Sequence, residues 1–407
     1  MTKQTTLLQN ESHEGEADVL VVGASAAGLH AARLLAGGGR KVLVIDAEEE
    51  LGSPARTLIV TPYLDDILGA TPPDIVVNRT GTLRLYSGAH SATVRLGRAD
   101  LIVERERLIQ WLLRGATSAG ARVRLGCRFI GLQPDGKRAA VGIEDARGHT
   151  EWIRTRVVIG ADGVSSELSR RVSQKSPSRV FLQQAVVPMP RWARSTVTQI
   201  WFDPKRTRYF FWLIPESQQR GVVGLIADDE TQARGALGAF MAEHGLEALE
   251  YQEAHVPCYS WSSVWARMIA GTHVYLVGDA AAQVKMTTIG GVVTGLWGAQ
   301  AAARAILRGT PYLYEAAGLR KELTVHLLLR RVLNRFAAED YDDLLALLNR
   351  VVGGPVSYIT RDEAVRLLWK VGLAEPRFAL VTARALLARQ AAFRYKHQPS
   401  LCESRVE

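Results

Sequence analysis

The chain has 407 residues, 47% of them hydrophobic, enough to bury a large core in two or three lobes. Its 50 lysines and arginines against 41 acids give a net charge of +9. The arginines sit among acidic neighbours, as in Arg361-Asp362-Glu363, and no basic tract interleaves with aromatics, so no nucleic-acid partner is expected. Three cysteines (Cys127, Cys258, Cys402) form no CxxC and no His/Cys cluster, which argues against a disulfide framework or a metal site and fits a reducing compartment.

Residues 1–16 are polar and lack an apolar h-region, so they read as a flexible tail and not as a signal peptide. No apolar run reaches the length that spans a bilayer. A cytoplasmic location is expected, with peripheral membrane contact left open. Asp18 to Val22 is an apolar strand that feeds Gly23-Ala24-Ser25-Ala26-Ala27-Gly28, and Leu29 to Leu35 continues as a helix. Lys41 to Ile45 forms the next strand and ends at Asp46. This βαβ unit carries a dinucleotide fingerprint in which Ser25 replaces the middle glycine. Gly23 makes the tight turn, Gly28 lets helix and strand pack closely, and a small side chain at Ser25 leaves the backbone open to a pyrophosphate. Asp46 is placed either to bind a ribose hydroxyl or to cap the following loop.

Residues 51–95, with Pro54, Pro62, Pro72 and Pro73, read as loops with short strands. A helix is expected over Leu108 to Ala119, then strands over Arg122 to Gly131, Ala139 to Asp145 and Glu151 to Ile159. The last ends at Gly160-Ala161-Asp162-Gly163, which would bring Asp162 near the same pyrophosphate. Strands at 197–202, 208–214 and 221–227 surround a helix over Thr231 to Glu243 and suggest an inserted antiparallel sheet.

A second glycine loop follows the apolar run Val274 to Val277: Gly278-Asp279-Ala280-Ala281-Ala282-Gln283-Val284-Lys285-Met286-Thr287-Thr288-Ile289-Gly290-Gly291, then a small-residue helix over Val292 to Leu307. An acid at a strand end, Asp279, suits a ribityl chain. A helix opening at Gly290-Gly291 directs its positive end at the pyrimidine edge of a flavin. Two such sites about 250 residues apart, with the 160–163 turn between them, point to one long cofactor, FAD.

With these residues in view, the chain resembles the geranylgeranyl reductase family of the para-hydroxybenzoate hydroxylase superfamily over most of residues 17–393. The loop GDAAAQVKMTTIGGV is similar to that family's GDAAGxVxPxTGGGI, with Met286 in place of proline and Ile289 in place of glycine. Arg105, Leu108 and Leu112 match the family's R-x-x-[FL]-x-x-x-L element, so the resemblance implies a cofactor contact at Arg105. Phe210-Phe211-Trp212-Leu213-Ile214-Pro215 resembles its [YF]xWxFP motif and implies a substrate wall at Phe210, Trp212 and Pro215. The archaeal members' P-x-x-C-t-G-l-x-S element has no cysteine here, where the chain reads Pro54-Ala55-Arg56-Thr57-Leu58-Ile59-Val60.

The expected fold is α/β: a Rossmann-like FAD-binding domain (17–60, 96–178 and 270–310), an inserted antiparallel β-sheet substrate domain (61–95 and 179–269), a C-terminal helical region (311–395) and a tail (396–407). The expected function is reduction of carbon–carbon double bonds in a hydrophobic, isoprenoid-like substrate, with NAD(P)H or another reductant as electron donor. No catalytic residue is assigned; Lys285, Thr287 and Thr288 are candidates because their loop lies at the flavin. An FAD-dependent monooxygenase remains the alternative, although the loop lacks a PPxxGQG-like sequence. A flavin-dependent halogenase is disfavoured because no lysine lies between Lys41 and Lys137. A non-catalytic flavin protein is the remaining class. Arg384, Arg389 and Arg394 on a helix over Phe378 to Lys396 fit either a helix packed on the protein with its arginines in water or a membrane-docking surface. Oligomeric state is not legible.

Overall fold

The computed structural model describes residues 16–52, 56–136, 138–173 and 176–351. The expectations for the tail and for the helix at 378–396 lie outside the described residues.

Two eight-stranded sheets organise the chain. The first runs in the order 266–269, 272–276, 150–160, 16–22, 42–45, 122–124, and the hairpin 127–135/138–145 adds to it beside 150–160. Its central strands are parallel, with Val19 to Val22 paired to Val42 to Ile45 on one side and to Val157 to Gly160 on the other. Strands covered on both faces must be apolar throughout, and Val42–Ile45 is buried at every position. Helices Ala26–Gly37 and Val292–Arg308 cover one face and pack on each other.

The second sheet runs 250–257, 179–188, 220–227, 211–215, 197–201, 76–87, 90–104, 57–60. It is antiparallel apart from the parallel pair 197–201/76–87. Residues alternate between its faces. Phe181, Ala185, Phe211, Leu213, Val223 and Leu225 pack on Leu237 and Phe240 of helix Glu230–His244. That helix is capped by Asp229, which accepts from the Gln232 amide, and stopped by Gly245 in the left-handed region. Leu182, Gln184, Trp212, Ile214 and Ile226 point the other way, into a cavity.

Two expectations need correction. Residues 51–95 are not mostly loop: Val76–Ser87 and His90–Glu104 are long paired strands, bulged near residues 76–78 and 80–82. The domain division also shifts. Thr57–Val60 pairs antiparallel with Leu101–Glu104, so both segments belong to the second sheet, while Ala266–Ile269 pairs with Thr272–Leu276 in the first. A single 15-residue strand crosses the boundary drawn on the sequence, because its apolar end finds a partner only in the folded chain.

Helix Ala317–Leu333 lies against the second glycine loop. Helix Ala338–Val351 returns to the second sheet, where Leu345 and Leu348 bury against Ala92 and Asn349 donates to the Ser91 carbonyl.

His30, on the helix after the first glycine turn, is buried with neither ring nitrogen hydrogen-bonded. Burial, helped by Arg33, pushes its pKa down to about 4. The unfolded chain therefore takes up a proton that the folded chain refuses. Stability is complete above the unfolded value near 6.5 and falls as pH drops toward 4, by about 3 kcal/mol in all. His30→Leu is expected to flatten the acid limb of a denaturation midpoint measured against pH over that window; an unchanged limb would contradict this account.

Candidate cofactor and substrate site

The two glycine turns meet at the carboxyl ends of the parallel strands. Gly23 has φ +103°, and a Cβ there would sit 2.3 Å from the Ala161 carbonyl oxygen. Only glycine permits that approach of the first turn to the 160–163 turn. Ser25 caps the following helix, its hydroxyl accepting from the Gly28 amide at 3.3 Å. The other first-turn amides of that helix are left without intrahelical partners. Asp46 accepts from the Ala24 amide at 2.6 Å through one oxygen and from the Glu48 amide at 2.9 Å through the other. It thus ties the second strand to the first turn and caps its own loop. Asp162 is committed to the helix after it, accepting from the Ser166 hydroxyl and the Glu167 amide. It is the main chain at 161–162 that packs on the first turn.

The second glycine loop is built around Gln283, which is fully buried. Its Oε1 accepts from the Gly278 amide at 2.8 Å, and its Nε2 donates to the Tyr312 hydroxyl, which in turn donates to the Leu276 carbonyl. Residues 285–290 close a tight hairpin, with the Lys285 amide on the Gly290 carbonyl and the Ile289 amide on the Lys285 carbonyl. Arg330, from the helix over 317–333, clamps this hairpin. Its guanidinium donates to the carbonyls of Met286, Thr287 and Arg208 and lies over the Tyr209 ring.

Between the hairpin and the second sheet lies a cavity of about 400 Å³. Phe210, Trp212 and Ile214 line it, and Gly224 makes room for the indole: a Cβ there would lie 2.6 Å from both the Trp212 ring and the Gln184 Cβ. Pro215 does not line it. The period of two along the strand turns Pro215 away, and its carbonyl accepts from Asn78. On the opposite wall are Asp279, Lys285, Thr287, Thr288 and the helix start at Gly290 to Thr294.

Asp279 faces two guanidiniums. Burial pushes its carboxyl up, while Arg56 and Arg105 pull it back down. Among the described residues no hydrogen bond reaches its oxygens. Arg105 donates to the Gly52 carbonyl and stands in the field of both Asp279 and Asp46. It is Arg107, and not Arg105, that pairs with Glu104. Arg56 lines the cavity, and its buried Nε–H has no hydrogen-bond partner among the described residues. Sequence reading missed Arg56, Gln283, His326 and Arg330. The last two had a signal: Glu322, His326 and Arg330 recur every fourth residue and so share one helix face.

Ile289, where the family loop has glycine, sits in the left-handed region at φ +53° with its side chain buried against the cavity. A β-branched residue there stores roughly 1–2 kcal/mol of strain. Ile289→Gly relieves that strain but gives up about 2 kcal/mol of burial and about 1 kcal/mol of backbone entropy. A modestly lower melting temperature and better uptake of bulkier apolar ligands are expected from calorimetric titration. Unchanged ligand selectivity would count against Ile289 as the cavity's limiting wall.

A family model described as an NAD(P)-binding Rossmann-like domain matches residues 21–65. Digeranylgeranylglycerophospholipid reductase 1 of Methanopyrus kandleri is 32% identical over 302 residues, covering 69% of this chain and 78% of that protein. The chain belongs to the geranylgeranyl reductase family. A second geranylgeranyl reductase relative, the digeranylgeranylglycerophospholipid reductase of Methanocaldococcus jannaschii, is 26% identical over 365 residues, covering 83% of this chain and 92% of that one. The fold of this geranylgeranyl reductase family member matches a geranylgeranyl bacteriochlorophyll reductase-like protein from Thermoplasma acidophilum with TM-score 0.78, at 20% identity over 91% of this chain and 99% of that one. As a member of the geranylgeranyl reductase family it is an FAD-dependent oxidoreductase. The site suits that cofactor: two turns that a Cβ would fill and, among the described residues, an acid with no hydrogen-bond partner and an unpartnered Arg56 Nε–H beside it. Among the described residues no helix is long and apolar enough to cross a membrane.

Proposed function

We propose that this protein reduces carbon–carbon double bonds in the isoprenoid chains of a lipid such as a digeranylgeranylglycerophospholipid, using electrons delivered to FAD by NAD(P)H or another reductant. The observation that carries the reading is the cavity: an aromatic and aliphatic wall of Phe210, Trp212, Ile214, Leu182 and Ile226 opposite the second glycine loop. Such a lining favours an apolar chain over a polar one, because burial of each methylene contributes about 0.8 kcal/mol. The relatives' names supply the class of lipid.

Bound FAD would supply a hydride. In this reading the first glycine turn and its helix receive the pyrophosphate, Asp46 and Arg105 hold the nucleotide side, and Asp279 binds the ribityl chain. The helix start at Gly290-Gly291 stabilises negative charge on the reduced ring. Phe210 and Trp212 position the alkene and exclude water.

The test is anaerobic. The protein is reduced with dithionite or NADPH and mixed with a geranylgeranyl lipid, flavin absorbance is followed, and the product is weighed by mass spectrometry. Alkene-driven reoxidation, with two hydrogens gained per double bond, is expected. In a parallel arm with oxygen admitted, reoxidation that occurs only there, with an oxygen atom found in the product, would replace this reading with a monooxygenase.

A further inference from the structure

Alkene reduction consumes a proton as well as a hydride, and the family's cysteine element contains none in this chain. Counting from Pro54, its place falls to Thr57, whose hydroxyl is committed to Glu216. Another hydroxyl on the cavity wall is better connected. Thr287 Oγ1 lies 2.5 Å from Nδ1 of His326, and Nε2 of His326 lies 3.0 Å from a carboxylate oxygen of Glu322. Lys285 reaches the same carboxylate at 3.9 Å. His326 is 1% exposed and Glu322 18%, so the chain runs from the cavity through a dry imidazole to a partly wet acid.

We propose that Thr287, His326 and Glu322 form the proton-delivery chain of this enzyme. The inference rests on the reductase reading above. In the loaded form Nε2–H of a protonated His326 donates to the Glu322 carboxylate, and Nδ1–H donates to Thr287. That leaves the Thr287 O–H free to point into the cavity. The alkene gains a hydride at one carbon from the reduced cofactor, which is thereby oxidised, and a proton at the other from the Thr287 hydroxyl. The π bond breaks and two C–H bonds form. Thr287 recovers its proton from Nδ1 of His326, leaving a neutral imidazole, which solvent reloads past Glu322 and Lys285. Thr287 is the catalytic residue here; His326 and Glu322 act through it. The clamp of Arg330 on the Met286 and Thr287 carbonyls fixes the hydroxyl against the ring.

Among the described residues, the charged groups around His326 are Glu322 and Arg330 on its own helix and Lys285 on the hairpin, with Arg208 beyond Arg330. Glu322 accepts from Nε2–H and so leaves Nδ1 for Thr287; Glu322→Gln should therefore slow turnover while FAD content stays unchanged.

The experiment follows single-turnover reoxidation of dithionite-reduced holoenzyme by a geranylgeranyl lipid. Thr287→Val should slow it about 100-fold or more, and Thr287→Ser should restore most of the rate, while FAD content and reduction by dithionite stay unchanged. Independently of turnover, ¹⁵N NMR of the neutral imidazole should show Nε2–H with bare Nδ1. A wild type that turns over while Thr287→Val does so equally well would overturn the chain alone. An Nδ1–H tautomer of the neutral imidazole, or full-rate turnover in Glu322→Gln, would do the same. A reduced wild-type enzyme that no alkene reoxidises would overturn the reductase reading and the chain with it.

Discussion

Asp279→Ala is expected to yield a folded protein that loses FAD on gel filtration, its dissociation constant raised about 100-fold. Two effects act together. The carboxylate offers a charge-assisted acceptor in a site sheltered from water, where such a bond contributes about 2–3 kcal/mol. Its removal also takes away the acid that both Arg56 and Arg105 face, leaving two partly buried guanidiniums to repel each other. The unliganded protein should change little in stability, because the burial cost of the carboxylate offsets the pull of the two guanidiniums. Asp279→Asn keeps the shape and loses the charge, so it should fall between. The comparison is made on the FAD-to-protein absorbance ratio and on thermal unfolding with and without added FAD. A variant that elutes with a full complement of FAD would remove Asp279 from the cofactor site.

Gly298→Ala is expected to be the most damaging single methyl group outside the first turn among the described residues. A Cβ at this position would lie 1.9 Å from Gln283 Oε1 and 2.5 Å from its Cδ. Gln283 is fully buried and cannot step aside without dropping the Gly278 amide and the Tyr312 hydroxyl. The cost combines overpacking, typically about 1–3 kcal/mol, with unsatisfied buried polar groups at about 1–3 kcal/mol each. A loss of about 3–5 kcal/mol by denaturant titration is expected, with weakened FAD retention because the same glutamine shapes the loop that carries Asp279. Gln283→Leu, which gives up the hydrogen bonds without adding volume elsewhere, should cost less at equal loop disorder. Wild-type stability in Gly298→Ala would mean that the helix over 292–308 shifts freely on the sheet.

Much of the cofactor end was legible before any coordinates, because its requirements are local. A tight turn after a buried strand needs glycine at Gly23, and a helix start that accepts an anion needs small residues after it; both are statements about neighbouring residues. Asp162 and Pro215 show the limit. Asp162 stands at a strand end read as near the pyrophosphate, yet its side chain caps the helix that follows. Pro215 closes the motif, yet the strand's alternation turns it from the cavity. Position along the chain left the orientation of both side chains open; what lay opposite decided it.

The sequence by itself determined the parallel βαβ core, the two glycine turns, the aromatic strand and, from their order, an FAD protein resembling the reductases. Each rests on short-range rules of backbone conformation and hydrophobic period. Only the tertiary structure decided which strands cross between the sheets, that Arg56 shares Asp279 with Arg105, and that Thr287 meets His326. Those residues are 39 to 223 positions apart, as the numbering shows. Nothing in the local chemistry of a threonine in a loop and a histidine in a distant helix fixes their distance. That is set by how the helix over 317–333 packs on the hairpin, with the buried Arg330 holding the two in register.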